Sequence, residues 1–145
     1  MWLHTRDHAI VALSPHPPAT PPDARLREWV GAWLADYFSS HIRSVEGMPL
    51  APVGTPFRLR VWERLQAIPP GRVETYGSLA RFLDSSPRAV GMALAANPIP
   101  ILIPCHRVVA AHGPGGYSGA GGVEGKRFLL RLEGVSFAHV DDKNN

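Results

Sequence analysis

The sequence predicts a mixed α/β (α+β) protein, with a small N-terminal sheet-plus-helix subdomain and a mainly helical C-terminal subdomain carrying a helix-turn-helix. Three observations lead there. An apolar run with strand character at residues 8–14 is followed, after a proline-rich connector, by one strongly periodic helix. Two helix starts of the same make, Thr55-Pro56 and Ser86-Pro87, lie in the second half of the chain. Two short helical segments then follow each other closely between residues 75 and 96. The chain has 145 residues, enough for one compact domain or two small subdomains. The expected division is an N-terminal subdomain with its linker over 1–53, a C-terminal domain over 54–138 and a tail over 139–145.

Each element has a local reason. His8-Ala9-Ile10-Val11-Ala12-Leu13-Ser14 reads as a strand, and the prolines among residues 15–22 exclude helix and inner strand because they fix φ and remove donors. Leu26, Trp29, Val30, Trp33, Leu34, Tyr37 and Phe38 recur with helical period behind Asp23, an N-cap residue. Both tryptophans on that stripe are read as core. Residues 47–56 form a linker, and Thr55-Pro56 opens a helix with Phe57, Val61, Leu65 and Ile68 inward, stopped by Pro69-Pro70-Gly71. Thr75 caps Tyr76–Leu83, Asp84-Ser85 turns the chain, and Ser86-Pro87 opens Arg88–Ala96. Two short helices on a tight turn make a helix-turn-helix pattern, which many hairpins that bind nothing share. The apolar run 99–103 leads into Pro104-Cys105-His106-Arg107-Val108-Val109, then a glycine-rich loop over 113–122. A last helix is expected over Val123–Glu133, with Phe128, Leu129 and Leu132 inward and Gly134 as its stop.

Composition excludes some classes of function. No window reaches the roughly 18 uninterrupted apolar residues of a membrane helix, and the start lacks the basic and apolar regions of a secretory signal. A cytoplasmic location, nuclear in a eukaryote, is the expectation, and no membrane partner. One cysteine excludes an internal disulfide and a cysteine-based zinc site. The formal charge of +3 is too small to argue for nucleic acid. Lys126 and Lys143 are the only lysines, so the cations are chiefly arginine, whose planar fork suits phosphate.

A lone cysteine is most often a small buried hydrophobe. Around Cys105 three features favour chemistry instead: His106 as base or charge partner, prolines that stiffen the backbone, and a glycine-rich loop able to close over a ligand. A carboxylate behind the histidine would fix its tautomer; Glu133 is a candidate, though its spacing does not place it there. The second helix of the hairpin presents Ala89, Gly91, Ala93, Ala95 and Ala96, small residues that admit another backbone, a neighbouring helix or a nucleic-acid groove. Arg88 in its first turn is disfavoured electrostatically, which hints at a positional role.

These residues together resemble the O6-alkylguanine-DNA alkyltransferases, the methylated-DNA–protein-cysteine methyltransferases. The resemblance rests on Pro104-Cys105-His106-Arg107-Val108, Thr75-Tyr76-Gly77-Ser78-Leu79-Ala80, Arg88-Ala89-Val90-Gly91, Asn97-Pro98, Tyr117-Ser118-Gly119 and Leu129-Leu130 through Glu133-Gly134. Order and approximate spacing follow the family across residues 55–135. Three departures stand out: a slightly shorter turn between Tyr76 and Arg88, a longer loop from Tyr117 to Lys126, and an N-terminal region that matches poorly. The longer loop leaves pocket shape and alkyl preference open.

The resemblance implies single-turnover repair of double-stranded DNA by a monomer, with no metal and no cofactor. Cys105 would take the alkyl group from a flipped O6-alkylguanine, with His106, through a water and backed by Glu133, drawing off the thiol proton. Tyr76 would donate to the guanine ring nitrogen. The substrate positions it implies are the carbonyls of Cys105 and Val108, Tyr117 and Ser118 at the alkyl pocket, and Asn97 as the hinge into the active-site strand. Arg88 would fill the stack vacated by the base, and Ala89, Gly91, Ala93 and Ala95 would face a minor groove. Three rivals remain. A non-catalytic alkylated-DNA binding protein of the alkyltransferase-like type lacks the cysteine present here. A helix-turn-helix regulator leaves Pro104–Val108 unexplained. A turnover cysteine hydrolase needs an oxyanion hole that the sequence does not locate.

Overall fold

The computed structural model describes residues 1–113, 115–116 and 122–135. The chain divides into two compact units, Met1–Val53 and Gly54–Asn145. No helix among the described residues is long and apolar enough to cross a membrane.

The first unit opens with a hairpin rather than the single strand expected. Strand β1 (Trp2–Arg6) pairs antiparallel with β2 (Ala9–Ser14). Asp7 and His8 make the turn with φ of 51° and 62°, a left-handed pair matched to the twist of the strands. No glycine marks that turn, so the sequence signals only the strand from His8 onward and gives no sign of β1. Ile10 is fully buried and exchanges main-chain hydrogen bonds with the linker, Ile10 N–H to Pro49 O and Ala51 N–H to Ile10 O, both 2.8 Å.

Helix α1 (Ala24–Phe38) starts where Asp23 accepts from the Arg25 and Leu26 amides at 2.9 and 3.1 Å. Its buried stripe is Leu26, Val30, Trp33 and Tyr37, narrower than expected. Trp29 and Phe38 are 43% and 47% exposed. They sit one position off the i, i+4, i+7, i+11 seam.

The second unit begins with α2 (Pro56–Gln66), capped by Thr55 through the Arg58 amide at 3.2 Å. Val61, Leu65 and Ile68 are buried, but Phe57 is only half-buried, and the largest inward side chain is Trp62. The Trp62 indole N–H donates to the Ala93 carbonyl at 2.8 Å, so its polar edge is satisfied inside the core. Gly54 lies against the same ring, where a Cβ would approach within 2.6 Å.

Helices α3 (Tyr76–Phe82) and α4 (Pro87–Ala95) form the hairpin. Thr75 accepts from Ser78 N–H at 3.0 Å and Ser86 from Ala89 N–H at 3.1 Å. Asp84 turns the chain with φ of 53°. Just before α3, β3 (Glu74–Thr75) pairs in parallel with β4 (Val108–Val109), in the register Glu74 to Val108 and Thr75 to Val109. Two-residue strands carry no readable periodicity, and the sequence shows neither. Helix α5 (Gly122–Leu132) closes the unit; Gly134, at φ of 82°, and the Val135 N–H to Leu130 O bond terminate it.

The α5 face is rotated from expectation. Phe128 is 52% exposed, while Lys126, Leu129, Leu130 and Glu133 are buried. A pattern scored on apolar residues takes its phase from Phe128 and Leu132; here two charged residues occupy the inner stripe.

Candidate active site

Cys105 is 6% exposed and opens a single 3-10 turn, Cys105–Arg107. The expected active-site strand is therefore the short β4 that follows, and the cysteine precedes it. The turn is built from Cys105 N–H to Ile103 O at 2.8 Å and Arg107 N–H to Pro104 O at 3.0 Å. The Cys105 carbonyl accepts from Val108 N–H. Val108 is fully buried. Asn97 braces the approach to the cysteine: its Nδ2 donates to Ile103 O at 2.8 Å and its Oδ1 accepts from Ile99 N–H at 3.0 Å. Between these residues Ile101 holds a φ of 73°, a strained backbone for a β-branched residue. Asn97 thus contacts the chain leading to Cys105.

Behind the cysteine lies a buried polar group of three residues. His106 is fully buried, and its Nε2 is 2.7 Å from Glu133 Oε2. Arg107 clasps the same carboxylate from two sides, Nε to Oε1 at 2.8 Å and Nη2 to Oε2 at 3.0 Å. Its Nη1 donates to Ile68 O at 2.7 Å, which ties α5 to the end of α2. Burial alone would push the Glu133 carboxyl up. Hydrogen bonds from His106 and Arg107, and their charges, outweigh it and hold Glu133 down at about 2. The His106 ring moves below its ordinary value, chiefly through burial, against the opposing pull of Glu133.

These shifts fix the tautomer. An ionised Glu133 only accepts, so Nε2 of a neutral His106 carries the proton and Nδ1 keeps its lone pair. That Nδ1 is buried and has no hydrogen-bond partner among the described residues.

Tyr76 and Lys126 stand on the other side. The Tyr76 hydroxyl donates to Gly116 O at 3.2 Å, and burial followed by the charge of Cys105 raises its pKa. It therefore stays a proton donor throughout the neutral range. Lys126 is fully buried and donates to the same carbonyl at 3.0 Å. Burial lowers its ammonium to about 8, against the opposing influence of Cys105. Sequence reasoning assigned no role to Arg107 or Lys126. For Arg107 the signal is its place inside Pro104–Val108; for Lys126 it is the three-, four- and seven-residue spacing to Leu129, Leu130 and Glu133.

On α4 the outer face holds Arg88 and Ala95, both exposed, with Ala89 and Gly91 half-buried. Arg88 makes no hydrogen bond or ion pair among the described residues, despite its unfavourable place at a helix N-terminus. Ala93 corrects the expectation: it is 2% exposed and gives its carbonyl to Trp62. It faces α2, because residue 93 lies about 200° around the helix from Gly91. Tyr117 and Ser118 lie outside the described residues. Among the described residues no group of three His, Cys, Asp or Glu side chains converges to hold a metal.

Residues 56–135 match the family model for the 6-O-methylguanine DNA methyltransferase DNA binding domain. The chain belongs to this family. A methylated-DNA–protein-cysteine methyltransferase of Salmonella typhimurium is 49% identical over 104 residues, covering 70% of this chain and 60% of the relative. One from Saccharolobus solfataricus is 59% identical over 80 residues, 55% of this chain and 52% of the relative. The aligned chain thus spans only about half to three fifths of these methyltransferases. Among solved structures, Mycobacterium tuberculosis OGT in complex with DNA superposes with a TM-score of 0.80 at 34% identity, over 91% of this chain and 85% of that one. The O6-methylguanine-DNA methyltransferase of Pyrococcus kodakaraensis superposes with a TM-score of 0.58 at 37% identity, over 86% and 70%. The mixed α/β fold of the methyltransferases is therefore the fold of this chain.

Proposed function

We propose that this chain repairs double-stranded DNA by moving an alkyl group from O6-alkylguanine to Sγ of Cys105, once per molecule. The observation that carries this reading is the buried His106–Glu133–Arg107 group, which leaves Nδ1 of the residue that follows the buried Cys105 without a partner among the described residues.

The chemistry balances without a cofactor. A thiol near pKa 8.5 is only a few per cent thiolate at neutral pH. His106 Nδ1 accepts the thiol proton, directly or through one water, and Glu133 stabilises the imidazolium. The thiolate attacks the alkyl carbon, the S–C bond forms as the C–O6 bond breaks, and the electron pair passes into the purine. Tyr76 gives its proton to the purine ring nitrogen, and the imidazolium then returns one proton to the tyrosinate through water, so that the thiol proton ends on the leaving guanine. A thioether has no low-energy route back to thiolate, so the protein is consumed. A base stacked in a duplex cannot reach a buried sulfur and must be flipped out, at a few kcal/mol. Arg88, exposed and unpaired on the outer face of α4, fills the gap, with Ala89, Gly91 and Ala95 beside the backbone and Asn97 as hinge. Tyr117 and Ser118 complete the alkyl pocket, Val108 reads the guanine edge, and the working compartment is the cytoplasm or the nucleus.

Intact-mass measurement after incubation with a duplex carrying O6-methylguanine tests this directly. The expected result is one added methyl on Cys105, saturating at one equivalent, with Cys105→Ser binding the duplex unmodified. Tight lesion binding by the native protein with no gain in mass would overturn transfer and leave an alkylated-DNA binder.

A further inference from the structure

Two donors of the site end on one acceptor. Gly116 O takes the Tyr76 hydroxyl at 3.2 Å and the Lys126 ammonium at 3.0 Å, which is the full capacity of a carbonyl with two lone pairs. The loop lies directly on the tyrosine: Gly115 has φ of 75°, and a Cβ there would stand 2.7 Å from Tyr76 Cε2 and 3.0 Å from its hydroxyl. The ammonium also sits 5.6 Å from the Tyr76 ring centroid, within cation–π reach.

The two bonds are unequal. An O–H···O bond at 3.2 Å is longer than the common value of about 2.7–2.8 Å, and so is readily exchanged. The bond from the ammonium is charge-assisted and the stronger of the pair. Among the described residues the Lys126 ammonium makes no ion pair, and it is fully buried beside Leu129 and Leu130 on its own helix. Burying a cation is costly unless it is given strong partners, and this one has been given the loop carbonyl and the ring.

We infer that Gly116 O is a resting-state acceptor for the Tyr76 hydroxyl, and that Lys126 is the positioning residue that holds this carbonyl in place. An arriving purine ring nitrogen competes for the hydroxyl and wins it, because the bond it replaces is long. Lys126 keeps its own bond, so Gly116 O stays in place while the tyrosine turns its proton to the base. The inference rests on the alkyl-transfer reading, since the displacing group is the flipped guanine.

The test places 3-fluorotyrosine at position 76 and follows its 19F resonance, with lesion binding measured in a Cys105→Ser background. Addition of the O6-methylguanine duplex is expected to move the resonance as the hydroxyl leaves Gly116 O. Lys126→Met keeps the length of the side chain and removes the cation, which favours folding of a buried site, and circular dichroism confirms the fold. In that variant the unbound resonance is expected to lie away from the native position. With Cys105 restored, the half-saturating lesion concentration rises about tenfold, the worth of one charged hydrogen bond, while the limiting transfer rate changes less. An unbound Lys126→Met resonance identical to the native one would overturn the inference, even if the native protein gains its methyl. A displaced resonance together with a native protein that gains no methyl would sink the transfer reading and leave Lys126 in its positioning role.

Discussion

Glu133→Gln is the most informative single substitution, because three donors converge on that carboxylate. Oε1 accepts from Arg107 Nε; Oε2 accepts from His106 Nε2 and Arg107 Nη2. A glutamine amide offers one oxygen and one NH2. If the NH2 replaces Oε1 it faces the Arg107 Nε–H; if it replaces Oε2 it faces Nη2–H and drives the His106 proton onto Nδ1. Either choice leaves a buried donor opposed, and the second removes the base.

The magnitude follows from the carboxyl itself. Its pKa falls from 4.5 to about 2 on folding, and at about 1.4 kcal/mol per pH unit this comes to about 3 kcal/mol. Removing one partner of a buried ion pair costs about 3–5 kcal/mol by an independent route. Because the folded-state pKa is the lower one, this stability is fully present above pH 4.5 and is lost as the pH falls towards 2. Urea unfolding of both proteins across pH 2–7 should therefore show a gap of about 3 kcal/mol at neutral pH that narrows through this window. The transfer rate should fall by about 10²–10⁴, the usual worth of a general base. A gap under about 1 kcal/mol at pH 7, or one that does not narrow in acid, would refute the ionised, doubly clasped carboxylate.

Two further outcomes follow from other parts of the site. Asn97→Ala removes the bonds to Ile103 O and Ile99 N–H. It should cost about 1–3 kcal/mol in urea unfolding and slow transfer even to a free alkylated base; unchanged transfer would place Asn97 in structure alone. Arg88→Ala touches only an exposed, unpaired side chain, so the melting temperature should hold while reaction with duplex lesion falls far more than reaction with free O6-benzylguanine. Equal losses with the two substrates would remove Arg88 from the flipping step.

Much of this fold is legible because its signals are local. Asp23, Thr55, Thr75 and Ser86 each accept from an amide two or three residues on, and proline at Pro56 and Pro87 fixes φ at the first helical position. Those effects need no tertiary partner, so element order and the helical hairpin can be read from the chain. The hairpin turn at Asp7-His8 escaped because a left-handed pair without glycine carries no local mark.

The site divides along the same line. The sequence alone put Cys105 beside His106, and a resemblance supplied Glu133 as its partner; spacing could not, because 27 residues separate the two. Tertiary structure alone decided that Arg107 clasps Glu133, that α5 turns Lys126 inward, and that Tyr76 and Lys126 meet at one loop carbonyl 40 and 10 residues away. The physical reason is burial. A charged side chain is expected to face water, and only a closed interior with its partners already in place makes the inward orientation the stable one.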